Sequence, residues 1–133
     1  MTNQTVPVAL KRWFLIHFAV DVLFAIPLFL FPLAFLTLLG WHSIDPFATR
    51  IVAAALFGIG IESFLGRNAP AQTFKNMLNL KIIWSGATII GVALSIFQNI
   101  YPTTITQWLL LGTFVAFHIL WVIWRIKIGK ILS

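Results

Sequence analysis

Four long apolar stretches, separated by short polar punctuation, constrain this chain more than any other feature. They run from Trp13 to Leu39, Phe47 to Leu65, Met77 to Phe97 and Ile105 to Trp124. A helix that crosses a bilayer needs about 20 predominantly apolar residues. Transmembrane strands would instead alternate apolar and polar residues over about 10 positions, and these stretches do not alternate. Of the 133 residues, 60% are hydrophobic and 9% charged, against about 25% charged in an ordinary soluble domain. The expectation is an all-α, four-helix transmembrane bundle that occupies residues 1–133 as a single domain. The connecting segments leave no room for a separate soluble domain. The first stretch follows Lys11 and Arg12, as a secretory leader would, but it is too long for a leader's apolar core. No small-x-small cleavage site follows it, so it reads as a span.

The net charge of +6 and pI near 10.6 would suit a nucleic-acid binder, but the distribution argues for topology instead. Lys11 and Arg12 precede the first helix. Arg67 and Lys75 follow the second, Lys81 is early in the third, and Arg125, Lys127 and Lys130 follow the fourth. Four crossings put these eight of the nine Lys and Arg on one side, with Arg50 alone on the other. The positive-inside rule then places both termini in the cytoplasm. The basic charge is read as a topology signal and an attraction for anionic lipid, not as a nucleic-acid surface.

Local signals punctuate the helices. Pro27 and Pro32 each remove a backbone donor and crowd the preceding turn. The first helix should therefore kink, or end early and continue as a short interfacial piece. Asp45 followed by Pro46 reads as the N-cap and first residue of the second helix, with Arg50 beside Asp45 as its ionic partner. Asn68 is a candidate cap for a third helix that starts near Pro70, with Ala71 to Asn79 at the interface. Tyr101-Pro102 marks the last turn, with Thr103 or Thr104 as cap. The tail from Arg125 to Ser133 alternates basic and apolar residues and is expected to lie on the inner leaflet.

Ionisable residues within spans cost about 2.5–3.5 kcal/mol each on insertion scales, so each needs a partner or a role. His17 and Asp21 are four apart and share a helix face. Glu62 belongs to the stripe Ala54, Ala55, Gly58, Glu62 and Gly66, which is expected to face protein. Lys81 shares a stripe with Ser85, Thr88, Gly91 and Ser95. His118 shares one with Gln107, Phe114, Trp121 and Arg125. Turned inward, these faces would gather His17, Asp21, Glu62, Lys81 and His118 in the cytoplasmic half as a ligand or ion-pair cluster. Its members also have structural readings. His17 with Asp21 is a local pair that orients a helix. Glu62 with Lys81 is an interhelical ion pair, or Lys81 snorkels to the surface. His118 is a satisfied core histidine.

No phosphate loop, nucleophile elbow or zinc-spaced histidine pair is present. Cysteine is absent, which removes disulfides and thiolate chemistry. His42 falls on the opposite side from His17 and His118, so a three-histidine metal site is not expected, nor is any cofactor or catalytic residue.

The segments Leu39-Gly40-Trp41, Asp45-Pro46-Phe47-Ala48-Thr49-Arg50, Ala53-Ala54-Ala55-Leu56-Phe57-Gly58-Ile59-Gly60 with Arg67 after it, and Asn76-Met77-Leu78-Asn79-Leu80-Lys81-Ile82-Ile83-Trp84 resemble a group of small bacterial four-helix membrane proteins, loosely DoxX-like. The resemblance covers about half the chain and implies the fold and a bacterial inner-membrane location, without an activity. The functional expectation is an accessory or interaction protein without its own catalytic chemistry. It would touch membrane lipid and a larger membrane complex or a second copy of itself. A small-molecule, lipid or proton-coupled carrier using the polar cluster is the second reading. A membrane enzyme acting on a lipophilic substrate is the third.

Overall fold

The computed structural model describes residues 5–99 and 101–133. It is all-α, with helices α1 (Val8–Leu30), α2 (Pro32–Leu38), α3 (Pro46–Leu65), α4 (Ala71–Gln98) and α5 (Ile105–Leu132), and one 3₁₀ turn (Gly66–Asn68). Four helical segments, Val8–Leu30, Pro46–Asn68, Ala71–Gln98 and Ile105–Leu132, are long and apolar enough to cross a membrane. They have the dimensions and composition of an integral membrane protein. The helices fall into two units, residues Val8–Asn68 and residues Ala69–Ser133 together with the N-terminal segment.

In the first unit, α1 and α3 run antiparallel. Phe18 meets Phe64 and Phe29 meets Phe57, with ring centroids 4.9 and 6.1 Å apart. Proline chemistry sets the local breaks. Pro27 is tolerated inside α1, but Pro32 ends it. The chain breaks at Phe31 and restarts with Pro32 as the first residue of α2, where a missing N–H costs nothing. The expected single stretch from Trp13 to Leu39 is thus one long helix and one short one. α2 ends at Leu38, and the turn that follows holds Gly40, whose φ of 83° suits a residue without a Cβ. The amides of Gly40 and Trp41 donate to Thr37 O and Leu36 O, which satisfies carbonyls left open at the helix end.

Asp45 caps α3 as expected. Its Oδ1 accepts from the amides of Phe47 (2.9 Å) and Ala48 (3.2 Å), and Pro46 takes the first helical position. Arg50 corrects its expected role as the ionic partner of Asp45. Its Nε donates to Phe29 O at 3.1 Å. The break at Phe31 leaves the last carbonyls of α1 without amides one turn further on, and Arg50 reaches back to take one.

In the second unit, α4 and α5 form an antiparallel pair in a register where position numbers sum to about 203. Asn79 meets Arg125, Lys81 meets Trp121, and Ser85 and Gly86 meet His118. Residue Asn68 does not cap α4; Pro70 occupies that position without a side-chain bond, and Asn68 lies in the 3₁₀ turn. α4 ends on Asn99 in the left-handed conformation, φ 49°. Asparagine tolerates that region because its short polar side chain bonds locally. Ile100, within the expected loop, lies outside the described residues. Thr104 caps α5 in a capping box. Thr104 N donates to Gln107 Oε1 at 3.1 Å, while the Thr104 hydroxyl accepts from the Gln107 amide, so each satisfies an open amide of the other.

The tail from Arg125 onward corrects a further expectation. It is no separate interfacial segment, because α5 continues unbroken to Leu132. At 28 residues each, α4 and α5 are about 42 Å long. That exceeds a hydrocarbon core of about 30 Å, an excess that tilt or protruding ends accommodate. Burial is concentrated at one end of this unit. Among the described residues, those buried on α4 lie between Ala71 and Ser85, and those on α5 between Trp121 and Ile128.

Candidate functional site

Of the ionisable residues singled out from the sequence, His17 and Asp21 form a local group on the first unit, and Lys81 and His118 lie near one another on the second. On α1, a buried stripe runs Leu10, Phe14, His17, Asp21, Ala25. Its four- and three-residue steps follow one side of a helix. His17 and Asp21 are the polar members, with side chains 11% and 6% exposed, and His17 Nδ1 approaches Asp21 Oδ2 to 2.8 Å. The distance is that of a hydrogen bond, but the direction is not. Asp21 Oδ2 is buried and accepts no aligned hydrogen bond. A close contact between adjacent turns therefore exists without the linear geometry that gives a bond most of its strength.

α3 meets this pair through a glycine. A Cβ placed on Gly60 would lie 2.7 Å from Asp21 Cβ and 3.3 Å from Asp21 Oδ2, so only a residue without a side chain fits. The buried face of α3 is Ala53, Gly60 and Ser63, and the Ser63 hydroxyl donates to Ile59 O at 2.7 Å within its own helix. This corrects the expected inward stripe. Ala54, Gly58 and Glu62 are all exposed, and a Cβ on Gly58 would meet nothing within 4 Å. Glu62 is thus not sheltered by protein as expected.

The second unit holds Lys81 and His118. Lys81 is 2% exposed, which corrects the reading in which it snorkels to the surface. Its Nζ lies 5.2 Å from the centre of the Trp121 ring, and Trp121 is itself stacked by Phe117 at 5.7 Å. A cation held over an indole face gains from the ring quadrupole, more so when both are desolvated. One turn along α4, Ser85 Oγ lies 2.8 Å from His118 Nδ1. The ring edge of His118 faces Gly86, where an added Cβ would lie 3.3 Å from Cε1. Ser85 is 2% exposed and its hydroxyl also lies 3.3 Å from Ile82 O. The pair is a cross-helix tie, of the kind worth about 0.6 kcal/mol on average in membrane bundles.

Sequence reasoning placed His17 beside Asp21, set Lys81 and Ser85 on one face of α4, and set His118, Trp121 and Arg125 on one face of α5. It missed the Lys81–Trp121 contact, the Ser85–His118 contact and a third tie, Arg125 Nε donating to Asn79 Oδ1 at 2.6 Å. The relevant residues were visible, but the register of α4 against α5 decides which of them meet. Among the described residues no three of His, Asp and Glu gather in a metal-binding group. No protein-family model matches this chain, and neither does any curated protein or solved structure.

Proposed function

We propose that this chain is a small integral membrane accessory protein that works by helix–helix contact, with α3 supplying the contact face. The observation that carries this reading is the exposed row Ala54, Gly58, Glu62. Small residues let another helix approach closely. A carboxylate within an apolar helix is costly to leave against lipid, so Glu62 favours a partner helix with a Lys, Arg or His at the same depth. That partner is a subunit of a larger membrane complex or a second copy of this chain. The proposal includes a bacterial inner-membrane location and membership of the loosely DoxX-like group, on the segments Asp45–Arg50 and Asn76–Trp84.

The test is purification in mild detergent with quantitative mass spectrometry. Gly58→Leu and Glu62→Gln are each expected to remove a stoichiometric partner, or the dimer, by about tenfold or more, the equivalent of 1.4 kcal/mol. Gly91→Leu, at a second glycine with open space around it, should leave it in place. Equal loss from all three variants, or no loss from the first two, would reject α3 as the contact face.

Both termini are proposed to be cytoplasmic. The antiparallel pairing within each unit supports this. Lys11, Arg12 and Arg67 share one end of the α1–α3 pair, and Lys75, Lys81, Arg125, Lys127 and Lys130 share one end of the α4–α5 pair. A reporter fused after Ser133 should therefore be active only as a cytoplasmic fusion; activity of a periplasm-dependent reporter would refute the orientation.

A proton- or cation-coupled carrier is the second reading, favoured by one observation. Asp21 Oδ2 is a buried acceptor without an aligned donor, which is an arrangement a proton or small cation would complete.

A further inference from the structure

The end of the α4–α5 pair carries a polar surface that the contact-face reading does not use. Residues Ala69–Ser133 contain Lys75, Lys81, Arg125, Lys127 and Lys130 and no acidic residue, since the three acids of the chain are Asp21, Asp45 and Glu62. No carboxylate within this segment is available to neutralise its cations. On α4, Gln72, Lys75, Asn76 and Asn79 follow a spacing of three, four and seven, which sets them on one face over the first turns. Gln72, Asn76 and Asn79 are exposed and Lys75 is half-buried. Gln72 Nε2 donates to Asn76 Oδ1 at 3.3 Å.

Arg125 is fixed beside this face. Its Nε is held by Asn79 Oδ1 at 2.6 Å, and its Nη1 lies over Gly129, where an added Cβ would come to 3.4 Å. Arginine presents five N–H donors in a rigid fork. The bond to Asn79 occupies one of them and orients the rest. The two other cations of the α5 end are placed differently. Lys127 Nζ lies 4.7 Å over the Trp124 ring, and Lys130 is exposed without such an anchor.

We infer that Arg125, Asn79, Lys75 and Asn76 form a binding site for the phosphate of an anionic phospholipid headgroup. The chemistry matches. A planar guanidinium binds phosphate through paired hydrogen bonds, an ammonium adds charge, and amide side chains donate to the remaining oxygens. The position matches too, because Arg125 directly follows the apolar run Ile105–Trp124, a stretch long enough to cross the hydrocarbon core and end at headgroup level. The site rests on the membrane-spanning assignment and not on the α3 contact.

The experiment uses the full-length protein in detergent. Retention of phosphatidylglycerol and of phosphatidylcholine is measured by native mass spectrometry. The parent should retain phosphatidylglycerol in preference to phosphatidylcholine. Arg125→Gln should reduce that retention by about fivefold, the effect of one cation near a membrane surface. Lys130→Gln should reduce it by less than half as much. Asn79→Asp guards against simple misfolding. It keeps and strengthens the tie to Arg125 while neutralising its charge, so the fold should survive and the retention should fall as in Arg125→Gln. Equal effects of Arg125→Gln and Lys130→Gln would show diffuse attraction and overturn the site. Full displacement of the lipid by millimolar inorganic phosphate would overturn a lipid as its ligand. Loss of partner protein in the α3 variants bears on neither outcome.

Discussion

Gly60→Leu is expected to be among the most damaging single substitutions in this chain, lowering stability by about 3 kcal/mol, the upper end of what overpacking costs. The clash is not at the tip of a flexible side chain. An added Cβ at Gly60 lies 2.7 Å from Asp21 Cβ, and neither atom can rotate away, because both are bonded directly to helix backbone. Relief requires α1 and α3 to separate, which also disturbs the contacts of Phe18 with Phe64 and of Phe29 with Phe57. Gly58→Ala is the matched control two residues earlier. It has open space, so the only effect should be the gain in helix propensity, up to about 1 kcal/mol. Thermal unfolding of purified protein in detergent measures both. A Gly60→Leu protein that melts with the parent would mean that α1 and α3 do not approach at this point.

Asp21→Ala is expected to destabilise the protein by about 2 kcal/mol. Leaving a buried polar group without its partner costs about 1–3 kcal/mol. The figure stays in that range because a helix unfolded within the membrane also finds partners for its polar groups. The substitution also leaves a void where the carboxylate lay beside Gly60. Asp21→Asn has nearly the same shape and keeps an oxygen facing His17, so it should recover most of the loss in the same unfolding assay. The two variants also separate the functional readings. If the pair is structural, Asp21→Asn should behave as the parent in cells. If Asp21 takes up a proton or cation, Asp21→Asn should fold and yet reproduce the phenotype of deleting the protein, because asparagine cannot carry the charge. The accessory reading predicts the first result. A folded Asp21→Asn protein with the deletion phenotype would transfer the case to the carrier reading.

The spans, a kink or early stop at Pro27 and Pro32, the Asp45 cap and a cap at Thr103 or Thr104 were all legible in the sequence. Each depends on a local property: apolar length, a missing amide, or an oxygen three residues from an open donor. The His17–Asp21 contact was legible for the same reason, since four residues along one helix is a fixed distance. The inward face of α5 could also be read, because its polar and aromatic residues fall on one side. α3 could not be read that way. Ala and Gly at positions 53, 54, 55, 58 and 60 surround much of the helix, and apolar periodicity gives little help when the surroundings are as apolar as a protein core. The small-residue rule chose the stripe through Glu62, whereas packing against Asp21 selected the one through Gly60. Contacts between helices needed the tertiary structure throughout. Arg50 on the open carbonyl of Phe29, Lys81 on Trp121, Ser85 on His118 and Arg125 on Asn79 are all set by helix register. A shift of one residue turns a side chain by about 100°, so composition and spacing within a single helix hold no record of which partner it meets.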